Sequence, residues 1–156
     1  MPAFRVYNDI LNKMDHAINL RDADLWCEIV EFPHKVHTEK KDFYVTTREQ
    51  HIAVMDGLRE TLVQFGAERI QRVVECAEFL TENKIRGHHV AYMMADGVAQ
   101  ADPIASRLIL ERGETGWKIA EVTNALEIGT WPFDALQIAD GLVSETAIER
   151  RQQIAS

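Results

Sequence analysis

Two adjacent histidines, His88 and His89, lie in a segment with strand-like alternation, so their side chains face opposite sides. The smaller, less charged alternating set is Ile85, Gly87, His89, Ala91 and Met93. This favours an inward His89 and an outward His88. Because imidazole titrates near neutral pH, an inward His89 indicates a general acid or base. The alternative is a core histidine hydrogen-bonded to a neighbour.

The last predicted strand carries a carboxylate that could act with a histidine. Strict alternation places five residues on one face: Trp117, Ile119, Glu121, Thr123 and Ala125. The bulky apolar members favour the inner face, so we expect Glu121 and Thr123 to point inward. A glutamate and a histidine on different strands of one bent sheet could orient a water or take a proton. Alternatively, Glu121 lies at the rim in water or pairs with Arg107.

A third candidate is His34, which follows Phe32 and Pro33 in a short extended segment. It could serve as an acid, a base or an orienting partner, or it could be a strand histidine satisfied by solvent or backbone. His37 lies three residues further on and would face the opposite side, so the two do not form a metal motif. The sequence has no zinc-spaced Cys/His cluster, glycine-rich phosphate loop or serine-hydrolase elbow. We therefore expect no metal and no cofactor.

Aromatic and methionine residues at regular spacing are candidate walls of a ligand-binding cavity. They are Tyr7, Met14, Trp26, Tyr44, Phe65 and Met93. Residues of these types can equally form a plain hydrophobic core.

Composition limits the classes of protein to consider. A chain of 156 residues suits one domain, and its net charge of -8 argues against nucleic acid as the main partner. No apolar run is long enough to span a bilayer, and the N-terminus lacks the apolar core of a signal peptide. Cys27 and Cys76 are interpreted as buried thiols of a reducing compartment. These features predict a cytoplasmic protein with no membrane partner.

The first half of the chain is predicted to be mainly helical. A three- and four-residue apolar spacing predicts a helix over residues 4–18, and Asp22 is a suitable N-cap for a second helix that Pro33 would end. Extended segments at residues 33–38 and 42–46 predict a hairpin with its turn at residues 39–41. A third helix would begin at one of two capping boxes, Thr46–Glu49 or Thr47–Gln50, and end at Gly66.

The second half is predicted to be sheet. Segments 68–80, 84–95, 104–112 and 117–125 alternate as strands and are joined by short turns, which favours an antiparallel meander. Helices followed by strands indicate an α+β domain, with the helices covering one face of a curved sheet. We assign residues 1–130 to this domain and residues 131–156 to a partly helical extension that packs on the domain or on a partner subunit.

The element order resembles the nuclear transport factor 2-like superfamily, particularly its SnoaL-like members, over roughly residues 4–126. The likeness rests also on Asp22-Ala23-Asp24-Leu25-Trp26 and Gly116-Trp117-Lys118-Ile119 at the starts of two elements. It implies a strongly curved, mostly antiparallel sheet forming a cone-shaped half-barrel closed at one end by three helices. It also implies an apolar cavity and a homodimer formed through the outer sheet face.

Members of the superfamily include dehydratases, ketosteroid isomerases, polyketide cyclases and epoxide hydrolases, alongside non-catalytic binding domains. The resemblance implies an Asp pair where the second helix meets the first strand, but Phe32 and Pro33 stand there. We therefore expect a cavity that binds a small apolar organic ligand. The alternative is a cofactor-free dehydratase, isomerase or cyclase that uses His89 as the base and Glu121 or His34 as its partner.

Overall fold

The computed structural model describes residues 1–37 and 42–124, together with the backbone of Val143–Ser144. The helices in these residues are Ala3–Leu20 (α1), Ala23–Glu28 (α2) and Arg48–Gln64 (α3). The strands are Val30–His37 (β1), Asp42–Val45 (β2), Arg69–Thr81 (β3), Lys84–Ala95 (β4), Val98–Ala99 (β5), Ile104–Gly113 (β6), Gly116–Asn124 (β7) and Val143–Ser144 (β8). The predicted α+β class is confirmed. None of the described helices is both long and apolar enough to cross a membrane.

Side chains at the helix ends explain where α2 and α3 begin. The carboxylate of Asp22 accepts a hydrogen bond from the backbone N–H of Leu25 at 3.1 Å, which caps α2. Thr47 and Gln50 form a reciprocal capping box at the start of α3. Gly66, with φ of 71°, follows the C-cap of α3 in the left-handed region that glycine tolerates. Of the two predicted capping boxes, only the Thr47–Gln50 pair opens the helix.

The strands form one sheet in the order β3-β4-β6-β7-β1-β2-β8, and β5 pairs with β4. The antiparallel meander predicted from short turns is confirmed, as is the antiparallel pairing of β1 with β2. Strand β1 also runs parallel to β7, with Val36 opposite Val122. This parallel pairing joins the early hairpin to the meander and was not predicted from the sequence.

Two local expectations are corrected by the structure. Strand β1 begins at Val30 rather than Pro33, because the chain already pairs with β7 there: the Ile119 N–H donates to the Ile29 carbonyl at 2.8 Å. Cys76 is exposed although Cys27 is buried, and an irregularity in the β3–β4 register lies between Val74 and Cys76. The predicted turn at residues 39–41 and the extension at 131–156 lie outside the described residues, except for the backbone of β8.

A bulge in β7 turns the residues of its C-terminal half to the side of the sheet opposite to the one predicted. Ile109 is opposite Glu121 while Leu110 is opposite Ile119, so Ala120 is the extra residue. Beyond it, Val122 and Asn124 face inward. The prediction that Glu121 and Thr123 face inward is therefore wrong, because one inserted residue changes the alternation.

Candidate functional site

A cavity of about 80 Å³ lies between the helices and the inner face of the sheet. Its wall is mainly aliphatic and includes Val30, Val36, Val45, Val54, Leu58, Ala91, Ile104, Leu108, Ile119 and Val122. The polar side chains in the wall are His34, His51, His89, Arg72, Ser106 and Asn124. Polar groups therefore interrupt an otherwise apolar surface at a few defined places.

His89 projects from β4 and is held by Tyr7 of α1. The Tyr7 hydroxyl lies 2.7 Å from Nδ1 of His89 and accepts from the N–H of Leu108 at 3.2 Å. Burial, aided by Arg72 and His88, lowers the pKa of His89 to about 3, while burial raises the pKa of Tyr7 above its ordinary value. The neutral phenol therefore donates to Nδ1, which leaves the imidazole proton of His89 on Nε2.

Arg72 of β3 contributes a guanidinium to the same wall, and the carboxylate of Asp15 on α1 balances its charge. Its Nη1 lies 2.7 Å from Oδ1 of Asp15, and its backbone N–H donates to Oδ2 at 2.8 Å. Burial raises the pKa of the Asp15 carboxyl, against the opposing effect of Arg72. This ion pair fixes α1 on β3 and places a compensated charge beside the cavity.

His51 of α3 is locked to Trp26 of α2 by two reciprocal hydrogen bonds. The Trp26 indole N–H donates to the His51 carbonyl at 2.6 Å, and Nε2 of His51 lies 3.0 Å from the Trp26 carbonyl. The two rings stack with centroids 4.4 Å apart and planes 3° apart. Because a carbonyl oxygen only accepts, Nε2 carries the imidazole proton and Nδ1 presents a lone pair. Burial, with a contribution from His34, lowers the pKa of His51 well below its ordinary value.

His34 of β1 lies against His51, with ring centroids 5.0 Å apart and planes at 85°. Its side chain is only 3% exposed. Burial lowers the pKa of His34 to about 4, while a hydrogen bond with the Glu31 backbone opposes that change. Nδ1 of His34 and Nδ1 of His51 both lack a hydrogen-bond partner within the described residues. Two neutral imidazoles with unsatisfied nitrogens therefore lie side by side in the cavity wall.

The predicted site residues separate into those that reach the cavity and those that do not. His34, His89, Met14 and Trp26 lie in its wall. His88 is exposed, so the predicted sides of His88 and His89 are confirmed. Their catalytic roles remain predictions.

Four expected cavity residues lie elsewhere. Tyr7 is fully buried behind His89, and Met93 is buried in the core outside the cavity wall. Tyr44 faces away from the cavity, because its neighbour Val45 fills the inward position of β2 and Lys35 lies over the Tyr44 ring. Phe65 is the C-cap of α3 and is 44% exposed, because the buried face of the helix ends at Leu62.

Glu121 and Thr123 lie on the outer face beyond the β7 bulge. Glu121 Oε1 is 3.7 Å from Nε2 of His37, whose Nδ1 is 3.0 Å from Asp42. The hypothesis of a His89–Glu121 dyad is therefore wrong, because the two side chains occupy opposite faces of the sheet. His34 and His37 do face opposite sides, as predicted.

His51 was missed by the sequence analysis although a signal for it exists. It precedes Met55, Leu58 and Leu62 by four, seven and eleven residues, which is the spacing of one helical face. Arg72 was missed because its half-buried partner, Asp15, is far away in sequence.

The polar side chains of the site are hydrogen-bonding groups spread along an apolar wall. The described part of the chain has no group of three or more His, Cys, Asp or Glu that could hold a metal ion. The three cavity histidines are neutral at neutral pH, and the one guanidinium in the wall is paired. Such a wall can orient a small molecule by hydrogen bonds within an apolar enclosure.

The fold is that of nuclear transport factor 2-like, or cystatin-like, proteins. A domain of unknown function with a cystatin-like fold from Nostoc punctiforme superposes with a TM-score of 0.62 at 15% identity, covering 98% of this chain and 94% of the other. A nuclear transport factor 2-like protein with a cystatin-like fold from Novosphingobium aromaticivorans gives 0.58 at 18% identity, covering 86% and 88%. A hexachlorocyclohexane dehydrochlorinase from Novosphingobium barchaimii gives 0.56 at 12% identity, covering 81% and 87%.

The sequence matches no family model and no curated protein. At these low identities the likeness establishes the cone fold, and the fold serves both enzymes and binding proteins. Function must therefore be argued from the cavity.

Proposed function

We propose that this protein binds a small organic molecule in the cavity between its helices and sheet. The observation that carries the proposal is the pair of unpartnered nitrogens, Nδ1 of His34 and Nδ1 of His51, in a mainly aliphatic wall. A buried polar atom without a partner costs free energy, and a ligand that supplies the partner recovers it. The aliphatic wall would enclose the apolar part of the same molecule.

The protonation behaviour of the histidines favours binding over catalysis. A general base works best when its pKa lies near the working pH. Burial lowers the pKa of His34 to about 4 and that of His89 to about 3, so both are weak bases at neutral pH. Weakly basic imidazoles still accept hydrogen bonds well.

Acid–base catalysis remains the second candidate, because three imidazoles line one cavity and one protein of similar fold is a dehydrochlorinase. A proton-abstracting enzyme would exchange the α-protons of a bound compact ketone with D₂O. That exchange, followed by ¹H NMR, would be faster with the protein than with a His34→Phe variant. Binding without accelerated exchange favours the first candidate.

The binding proposal is tested by ligand-observed NMR with a panel of neutral organic molecules no larger than benzene. We expect saturation transfer from the protein to at least one member. Ala91→Leu fills the cavity from β4, because Ala91 lies in the wall and is 4% exposed. It should weaken binding at least tenfold.

Val90→Leu is the matched control, since Val90 precedes Ala91 on the same strand and does not face the cavity. It should bind the panel as the unaltered protein does. Saturation transfer that persists equally in both variants would place binding outside the cavity and contradict the proposal.

A further inference from the structure

The part of the cavity wall formed by His34 and His51 specifies a kind of ligand. Both side chains are 3% exposed, and their Nδ1 atoms make no hydrogen bond within the described residues. Their rings meet edge to face with centroids 5.0 Å apart. Both side chains also line the cavity, so a single bound molecule can contact both rings.

Both nitrogens act as acceptors. In His51 the proton sits on Nε2, which donates to the Trp26 carbonyl, so Nδ1 carries only a lone pair. The backbone of Glu31 favours a proton on the His34 ring. Because Nδ1 has no hydrogen-bond partner within the described residues, we assign that proton to Nε2, which leaves Nδ1 as the second lone pair. The missing partner must consequently be a donor.

The charges around the cavity exclude a strongly charged ligand. No Asp or Glu lies among the described wall residues, so a cation would have no counter-charge. The guanidinium of Arg72 is already paired with Asp15, so an anion would find no free cation there. An anion beside His34 and His51 would face two lone pairs.

We propose that the ligand is a compact neutral molecule whose O–H or N–H donates one hydrogen bond that Nδ1 of His34 and Nδ1 of His51 share as acceptors. This inference rests on the proposed binding function and adds the chemical class. The cavity of about 80 Å³ is smaller than the apolar cavity of about 150 Å³ that accommodates benzene in another protein. The apolar body of the ligand should therefore be no larger than a five-membered ring.

Pyrrole and furan provide the test, because they are planar five-membered rings of nearly the same shape and only pyrrole has an N–H donor. We expect pyrrole to bind about tenfold more tightly than furan, as measured by NMR titration. A tenfold ratio corresponds to about 1.4 kcal/mol, in the range of one buried hydrogen bond. In protein labelled with ¹⁵N-histidine, pyrrole should shift the Nδ1 resonances of His34 and His51, and furan should not.

The His34→Phe variant removes one acceptor while keeping a planar ring. It should reduce the preference for pyrrole over furan to about twofold or less. His88→Phe is the control, because His88 lies exposed on the outer face, and it should keep the full preference. The ¹⁵N measurement on the unaltered protein gives an independent result if His34→Phe does not fold.

The outcomes separate this inference from the proposed function. Equal binding of pyrrole and furan inside the cavity would overturn the donor requirement and leave the cavity as a binding site. Nδ1 resonances that do not move on saturation with pyrrole would also overturn it. So would Nδ1 resonances that already have the values of hydrogen-bonded nitrogens in the ligand-free protein, because a bound water would then be the partner. No binding of either ring, nor of any molecule in the panel, would overturn both proposals.

Discussion

Gly87 shows how one residue without a side chain allows the Tyr7–His89 contact to form. A Cβ at Gly87 would lie 2.6 Å from Cζ of Tyr7 and nearer still to two other ring carbons. The Tyr7 ring therefore occupies the space above β4 that any other residue at position 87 would fill. This close approach lets the hydroxyl reach Nδ1 of His89 and the N–H of Leu108.

Gly87→Ala should consequently destabilise the protein strongly. Displacing the buried Tyr7 ring costs about 1–3 kcal/mol for overpacking, and losing the bond to His89 leaves a buried acceptor unpaired. Urea unfolding measures the change in the free energy of unfolding. Gly113→Ala is the control, because the nearest atom to its added Cβ is 3.8 Å away, and it should change stability little. Equal effects of the two substitutions would refute the steric argument.

The histidines show which features of single residues can be predicted from the sequence and which cannot. His89 was placed inside correctly because its strand has a clear alternation of small and large residues. The burial of His34 could not be decided, since alternation in a strand that contains a proline gives no sign of which face is inner. The Trp26–His51 lock and the Arg72–Asp15 pair join residues distant in sequence, and residue types alone do not reveal such pairings.

At the scale of elements, most boundaries were predictable and strand irregularities were not. The Asp22 cap, the Thr47–Gln50 box and Gly66 have local physical causes, so the sequence reveals them. The bulge at Ala120 depends on how β7 must pair with both β6 and β1. One unforeseen residue there moved Glu121 and Thr123 to the opposite face.

The bulge makes a testable distinction between neighbouring residues of β7. Val122→Ala should destabilise the protein by about 1–3 kcal/mol, because Val122 packs inward along the cavity. Glu121→Ala should cost less than about 1 kcal/mol, because Glu121 is 44% exposed and its 3.7 Å contact with Nε2 of His37 lies at the surface. Chemical denaturation of both variants measures this order. A larger loss for Glu121→Ala would mean that strict alternation holds and Glu121 lies inside.

At the scale of the whole molecule, the cavity is assembled from all three helices and most strands of the sheet. Met14 of α1, Trp26 of α2 and His51 of α3 close over a wall formed by β1, β2, β3, β4, β6 and β7. The resemblance stated from the sequence is confirmed as a fold. The expected homodimer through the outer sheet face stays a prediction, because fold alone does not determine association.

The buried neutral histidines tie the stability of the whole fold to pH. In the unfolded chain these imidazoles take up protons near pH 6.5, whereas in the folded protein His34 resists protonation to about pH 4 and His89 to about pH 3. The pKa of His51 is lowered in the same direction. Between these limits the unfolded state binds more protons, so the free energy of unfolding falls as pH falls. The raised pKa of Asp15 acts in the opposite direction in the acid range.

Unfolding by guanidinium chloride at pH 7.5, 6.5 and 5.5 should therefore show a plateau above pH 6.5 and a steep loss below it. Each buried histidine contributes a slope of up to about 1.4 kcal/mol per pH unit in that range. His34→Phe should reduce the pH dependence of the free energy of unfolding by up to about 1.4 kcal/mol per pH unit. It removes one group whose pKa differs between the folded and the unfolded state. His16→Gln should leave the slope unchanged, because His16 is exposed on α1 in the folded protein as well. A slope that His34→Phe does not alter would show that His34 is not buried in its neutral form, and the hydrogen-bond acceptor assigned to its Nδ1 would be lost with it.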